Sequence, residues 1–72
     1  MDVRRLGNNI ASERAKLGLT QKEVAEKIGV SEKSVARWER GEIAPQATAL
    51  KSLHGLFGCT VDYLLGLTEE RI

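Results

Sequence analysis

The chain has one cysteine, one histidine, one proline and one each of tryptophan, tyrosine and phenylalanine in 72 residues. A lone Cys59 builds no disulfide framework, and no cysteine stands near a histidine at metal-ligand spacing, so no metal site is expected. Cys59 reads as a small buried hydrophobe. No apolar run is long enough to span a membrane and no signal peptide is visible, so a soluble, cytoplasmic protein is expected. An enzyme finds little support: there is no Gly-rich phosphate loop and no Ser–His–Asp set, and the carboxylates are scattered over helix surfaces. No cofactor is implied. Repeats, linkers and low-complexity stretches are also missing. The length fits one small domain with a modest core.

Charge of one sign is scarce as well, with a net charge of +1. Its distribution is uneven. Residues 1–51 carry ten Lys or Arg against seven Asp or Glu, whereas residues 52–72 carry Arg71 alone against Asp62, Glu69 and Glu70. The basic excess therefore lies in the first two thirds.

What is present is a block from Gln21 to Arg40, QKEVAEKIGVSEKSVARWER. It reads as two short amphipathic helices joined at Gly29, a helix-turn-helix. Val24 and Ile28 form the buried edge of the first helix, and Val35 and Trp38 that of the second. Gly29 stands where a helix must stop and the chain must turn with φ > 0. Thr20 and Ser31 are N-caps for the two helices. Ala25 is small on the inner edge, which suits a close crossing.

At about 100° per residue, Lys33, Arg37 and Arg40 fall together on the face of the second helix opposite Val35 and Trp38. Exposed first turns of such a helix enter the DNA major groove. There Arg and Lys pair with guanine O6 and N7, and Glu accepts from cytosine N4. Lys33 and Arg37 are the candidate base readers, with Glu32 next, which can equally act by rejecting wrong bases. The bland alternative is a solvated face. Gln21, at the start of its helix, offers an amide and free N–H groups to a phosphate, or merely decorates the terminus. Arg40, at the far end, fits a phosphate better than a base. Ser31 combines capping with a possible phosphate contact, and Ser34 flanks the stripe.

Two charges stand on core faces. Val3, Leu6, Ile10 and Leu17 form one apolar stripe that includes Arg14, and Glu39 lies four residues after Val35. Opposite buried charges satisfy each other, so an Arg14–Glu39 pair between the first and third helices is expected. Trp38 reads as core, not as a base-stacking surface.

The full reading is all-α, with five helices and no strand. The first runs from about Val3 to Leu17. The fourth begins near Pro45, with Leu50, Leu53 and Phe57 on its inner edge, and Gly58 closes it. Thr60 caps a short fifth helix with Val61, Leu64 and Leu65 inward. Residues 1–66 form the domain and 67–72 a C-terminal tail. His54 is expected to be part-buried with its polar tip satisfied; the sharper alternative is a pH-sensitive contact at a dimer surface. Gly55 either permits a close helix approach or costs about 1 kcal/mol relative to Ala.

Residues 3–66 resemble the phage-repressor/Cro-like (XRE) family. Leu19-Thr20-Gln21, Ala25, Gly29, Val30-Ser31, Val35, Trp38-Glu39-Arg40-Gly41, Pro45, Leu50, Leu53, Gly58 and Asp62-Tyr63-Leu64-Leu65-Gly66 carry the resemblance. It implies a compact five-helix bundle of the lambda-repressor-like type and binding to palindromic operator DNA as a homodimer. By position it implies a phosphate contact for Gln21, base reading by Glu32, Lys33 and Arg37, and a buried ion pair for Arg14 and Glu39. The loop Glu42-Ile43-Ala44 departs from the family by lacking Lys or Arg, leaving main-chain N–H groups and Gln46 for phosphate. A sequence-specific transcription regulator, most naturally a repressor of a phage or mobile element, is therefore expected, with Leu67 and Ile72 at the dimer contact. An antirepressor or other regulatory protein is a further possible partner. The alternative is an antitoxin or protein-interaction module using exposed parts of the last two helices.

Overall fold

The computed structural model describes residues 2–72. Five helices make up the described residues: α1 (Val3–Lys16), α2 (Gln21–Ile28), α3 (Glu32–Glu39), α4 (Ala47–Phe57) and α5 (Val61–Leu64), with no strand. The helix starts are written locally. Asp2 accepts from the backbone N–H groups of Arg4 and Arg5, Ser31 from Ser34, and Thr60 from Tyr63. Thr20 and Glu23 form a reciprocal capping box, which satisfies two donors that the helix itself leaves free. Gly29, at φ 76°, ends α2 in the left-handed conformation that a side chain would resist.

The core joins all five helices. Leu6 and Ile10 of α1, Val24 and Ala25 of α2, Val35 and Trp38 of α3, Ala49, Leu53 and Phe57 of α4, and Leu64 of α5 are buried together with Cys59. α1 approaches α3 very closely at Gly7: a Cβ there would stand 2.2 Å from the carbonyl oxygen of Trp38. Glycine is thus required by packing, inside a helix that it would otherwise weaken.

Several expectations need correction. Leu17 is not in the core; it is the C-cap of α1 and is 49% exposed. The helix stops there, and the inner face one turn earlier belongs to Glu13, 1% exposed. Pro45 lies before α4, whose N-cap is Gln46. On α4 the buried edge is Ala49, Leu53 and Phe57, with Leu50 half-buried. Val61 and Leu65 of α5 are likewise half-buried and only Leu64 is fully inside. His54 is exposed; its Nδ1 bonds to the carbonyl oxygen of Cys59 just past the helix end. Gly55 faces open space, with nothing within 4 Å of a Cβ built on it, so no helix approaches it.

The segment after α5 has no helix, yet it folds back. The backbone N–H of Thr60 donates to the carbonyl of Arg71 at 2.7 Å. The Arg71 guanidinium reaches Glu13 on α1 and the carbonyl oxygen of Phe57. Asn9 of α1 donates to the carbonyls of Tyr63 and Leu64, taking up acceptors that so short a helix cannot satisfy itself.

Candidate nucleic-acid interface

α3 is seated by its inner face and leaves the other face open. Val35 is fully buried and Trp38 nearly so, which fixes the helix roll and points Glu32, Lys33 and Arg37 outward, all exposed. Among the described residues, Glu32 and Lys33 engage no hydrogen-bonding or ionic partner. At the N-terminus of α3, Ser31 Oγ accepts from the Ser34 N–H at 3.1 Å, and the two hydroxyls bond at 2.9 Å. Both serines therefore stand beside the first turn, Ser31 exposed and Ser34 half-buried.

The base of the motif is bound to α1 by one carboxylate. Arg14 Nε donates to Glu39 Oε2 at 2.7 Å and Arg14 Nη2 to Oε1 at 3.0 Å. Arg14 Nη1 also donates to the carbonyl of Leu19. Gln21 Nε2 donates to Glu39 Oε1 at 3.0 Å. Glu39 is 7% exposed in its side chain, and the pairing raises the Arg14 pKa further, chiefly through the hydrogen bonds that Arg14 donates to Glu39. Gln21 is thereby oriented from beneath, with one amide N–H committed to Glu39.

At the far end of α3, Arg37 and Arg40 are not free cations. Both guanidiniums lie against Glu42, Arg40 through a hydrogen bond from Nε and Arg37 with its Nε 3.7 Å from Oε1. The Arg40 hydrogen bond holds the Glu42 carboxyl below its ordinary pKa. Gln46 is exposed at the start of α4 and makes no side-chain cap. A cleft of about 250 Å³ between α3, the following loop and α4 has Val30, Trp38, Ile43 and Ala49 in its wall together with Ser34 and Arg37.

The exposed face of α3 and its capped first turn belong to a helix pair joined at the left-handed Gly29. The helix-turn-helix family model HTH_3 matches residues 10–64. The chain belongs to this helix-turn-helix family. Its fold is that of the phage repressors. The crystal structure of the P22 c2 repressor with a synthetic operator superposes with a TM-score of 0.79 and 34% identity, over 82% of this chain and 89% of that one. The clp gene regulator ClgR from Corynebacterium glutamicum superposes with a TM-score of 0.81 and 31% identity, over 90% of this chain and 69% of that one. In sequence, the HTH-type transcriptional regulator ImmR of Bacillus subtilis (strain 168) is 38% identical over 89% of this chain. Repressor protein C2 of Salmonella phage P22 is 34% identical over 90% of it. The chain spans 50% of the length of ImmR and 30% of that of C2.

Three residues of this face and its support were missed by sequence reasoning. Glu13 and Gly7 were not singled out in the sequence. Glu42 looked only like a missing cation. Among the described residues, no helix is long and apolar enough to cross a membrane.

Proposed function

We propose that this helix-turn-helix domain is the DNA-reading part of a transcriptional regulator of repressor type, binding palindromic operator DNA as a homodimer in the cytoplasm. The observation that carries the reading is the outward face of α3, where Glu32, Lys33 and Arg37 are exposed on a helix locked in place by Val35 and Trp38. With α3 in the major groove, Lys33 and Arg37 pair with guanine edges and Glu32 accepts from cytosine. Gln21, Ser31, Ser34, Arg40 and Gln46 meet the flanking phosphates, which set register without reading sequence. The P22 c2 repressor, similar over most of this chain, is known in complex with a synthetic operator. Leu67 and Ile72, 70% and 88% exposed, supply apolar surface for the second copy.

The test is selection of random duplex DNA by the purified protein, followed by sequencing. Enrichment of a palindrome with half-sites about 34–36 Å apart is the expected result. A single enriched half-site removes the dimer but keeps the reading of DNA. No enrichment at low salt, where phosphate contacts are strongest, overturns the proposal in favour of a protein-interaction module.

A further inference from the structure

The turn after α3 puts a carboxylate where a DNA-binding surface would be expected to carry a cation. Gly41, at φ +74°, is left-handed. Its N–H donates to the carbonyl of Trp38 at 3.0 Å, and the next N–H, that of Glu42, donates to the carbonyl of Arg37 at 3.0 Å. This pair of bonds is a Schellman motif, whose geometry brings the side chain after the glycine against the side chain five residues earlier. Those side chains are usually apolar. Here they are Glu42 and Arg37. The turn is also held from behind, since a Cβ at Gly41 would stand 2.9 Å from Cγ of Arg4 on α1.

The backbone therefore fixes where the Glu42 carboxylate sits. One oxygen accepts from Arg40 Nε and the other lies 3.7 Å from Arg37 Nε. All three side chains are roughly half exposed, and such surface pairs add little to stability. A carboxylate beside the phosphate path is repulsive to DNA in itself. Its geometry suggests a different use. It accepts from Arg40 Nε and stands 3.7 Å from Arg37 Nε, taking no hydrogen bond from the Arg37 Nη groups that would fork onto guanine O6 and N7.

We propose that Glu42 is a positioning residue for Arg37 that sets the preference for operator over random DNA. It braces the Arg37 fork for the base edge, and it offsets the charge of Arg37 and Arg40 against phosphates wherever no matching base is present. The inference rests on the proposed reading of DNA by α3. Bracing preserves the specific contact while charge offset weakens the non-specific one, and the two effects multiply in the ratio.

The experiment compares wild type, Glu42→Gln and Glu42→Ala for affinity to the selected operator and to a random duplex of equal length, at several salt concentrations. The Nε–H correlations of Arg37 and Arg40 are recorded for each free protein by NMR. Glu42→Ala should bind random duplex more tightly, with a salt slope steeper by about 1, and its operator-to-random ratio should fall about tenfold, within the range that one bidentate base contact supplies. Glu42→Gln, which keeps an acceptor oxygen but loses the charge, should gain random binding yet retain more of the ratio than Ala. In an Arg37→Ala background the effect of Glu42→Ala on the ratio should shrink to the part that acts through Arg40.

Equal gains on operator and random DNA, with the ratio unchanged, would show simple repulsion and overturn the positioning role. Arg37 and Arg40 Nε–H signals that ignore Glu42→Ala would overturn it without reference to DNA. Failure of wild type to select any sequence overturns the underlying DNA reading, and this inference with it.

Discussion

Arg71 grips Glu13 across 58 residues of chain, with Nη2 2.6 Å from Oε1 and Nε 3.0 Å from Oε2. Lys16, one turn along α1, holds the same carboxylate from the solvent side at 2.9 Å. Glu13 is thus a buried charge with two cations, and the last residues of the described chain are fastened to the first helix.

This pairing makes stability acid-sensitive. The Arg71 hydrogen bond, against the opposing effect of burial, lowers the Glu13 pKa from 4.5 to about 2. A carboxyl whose folded value is depressed stabilises the fold above its unfolded value, and that contribution is lost as pH falls from about 4.5 toward 2. Urea unfolding between pH 5 and pH 2 should lose up to about 3 kcal/mol on account of this group. Arg71→Ala should lower stability at pH 7, by less than a fully orphaned charge would because Lys16 remains, and should flatten the acid limb. A variant with the wild-type pH profile would contradict the assignment.

Glu39→Ala should be costly. It strips Arg14, 23% exposed in its side chain, of both carboxylate contacts and Gln21 of its acceptor. A loss of about 3–5 kcal/mol is expected for leaving such a charge unpaired. Denaturant titration measures it directly, and a midpoint within error of wild type would mean that the pair contributes nothing.

Two helical glycines should respond in opposite directions. Gly7→Ala places a methyl 2.2 Å from the Trp38 carbonyl and 3.0 Å from that of Glu39, both backbone atoms that cannot swing aside. The gain of about 1 kcal/mol in helix propensity is then outweighed by forced separation of α1 and α3, for a net loss of about 1–3 kcal/mol. Gly55→Ala meets nothing within 4 Å and should gain up to about 1 kcal/mol. Thermal melting of the two variants should shift to opposite sides of wild type.

Lys33→Ala combined with Arg37→Ala should remove operator selection while leaving the melting curve within about 0.5 kcal/mol of wild type, because both side chains are exposed. Retained selection of the same palindrome would move base reading elsewhere on the surface.

The helices, and the starts of α2, α3 and α5, were legible because their signals are local. Thr20, Ser31 and Thr60 cap, Gly29 and Gly58 turn, and the inner edges of α2 and α3 repeat at helical spacing. The apolar stripe of α1 was extended too far to Leu17, since hydrophobicity alone does not show that the helix has already ended. Position 13 has the right spacing from Ile10 for the inner face, yet a glutamate there reads as solvent-facing until its partner is known. That partner, Arg71, lies in a segment with no periodicity of its own. Gly7 was illegible for a related reason: a glycine in a helix looks like a weakness until the carbonyl that fills its missing Cβ is seen. On the candidate interface, residue types and spacing marked the exposed side of α3. They could not show that Glu42 is brought onto Arg37, because the contact depends on the left-handed Gly41 and not on helical periodicity.

One carboxylate, Glu39 on α3, is shared by Arg14 of α1 and Gln21 of α2. Three helices are consequently tied at one point, and we expect the motif to meet a duplex with little internal adjustment. When such a piece meets a duplex, the adjustment falls on the duplex, so that steps which bend cheaply are favoured even where no side chain touches them. The heat-capacity change of association should then track the apolar surface covered at contact, without the larger increment that accompanies folding on binding.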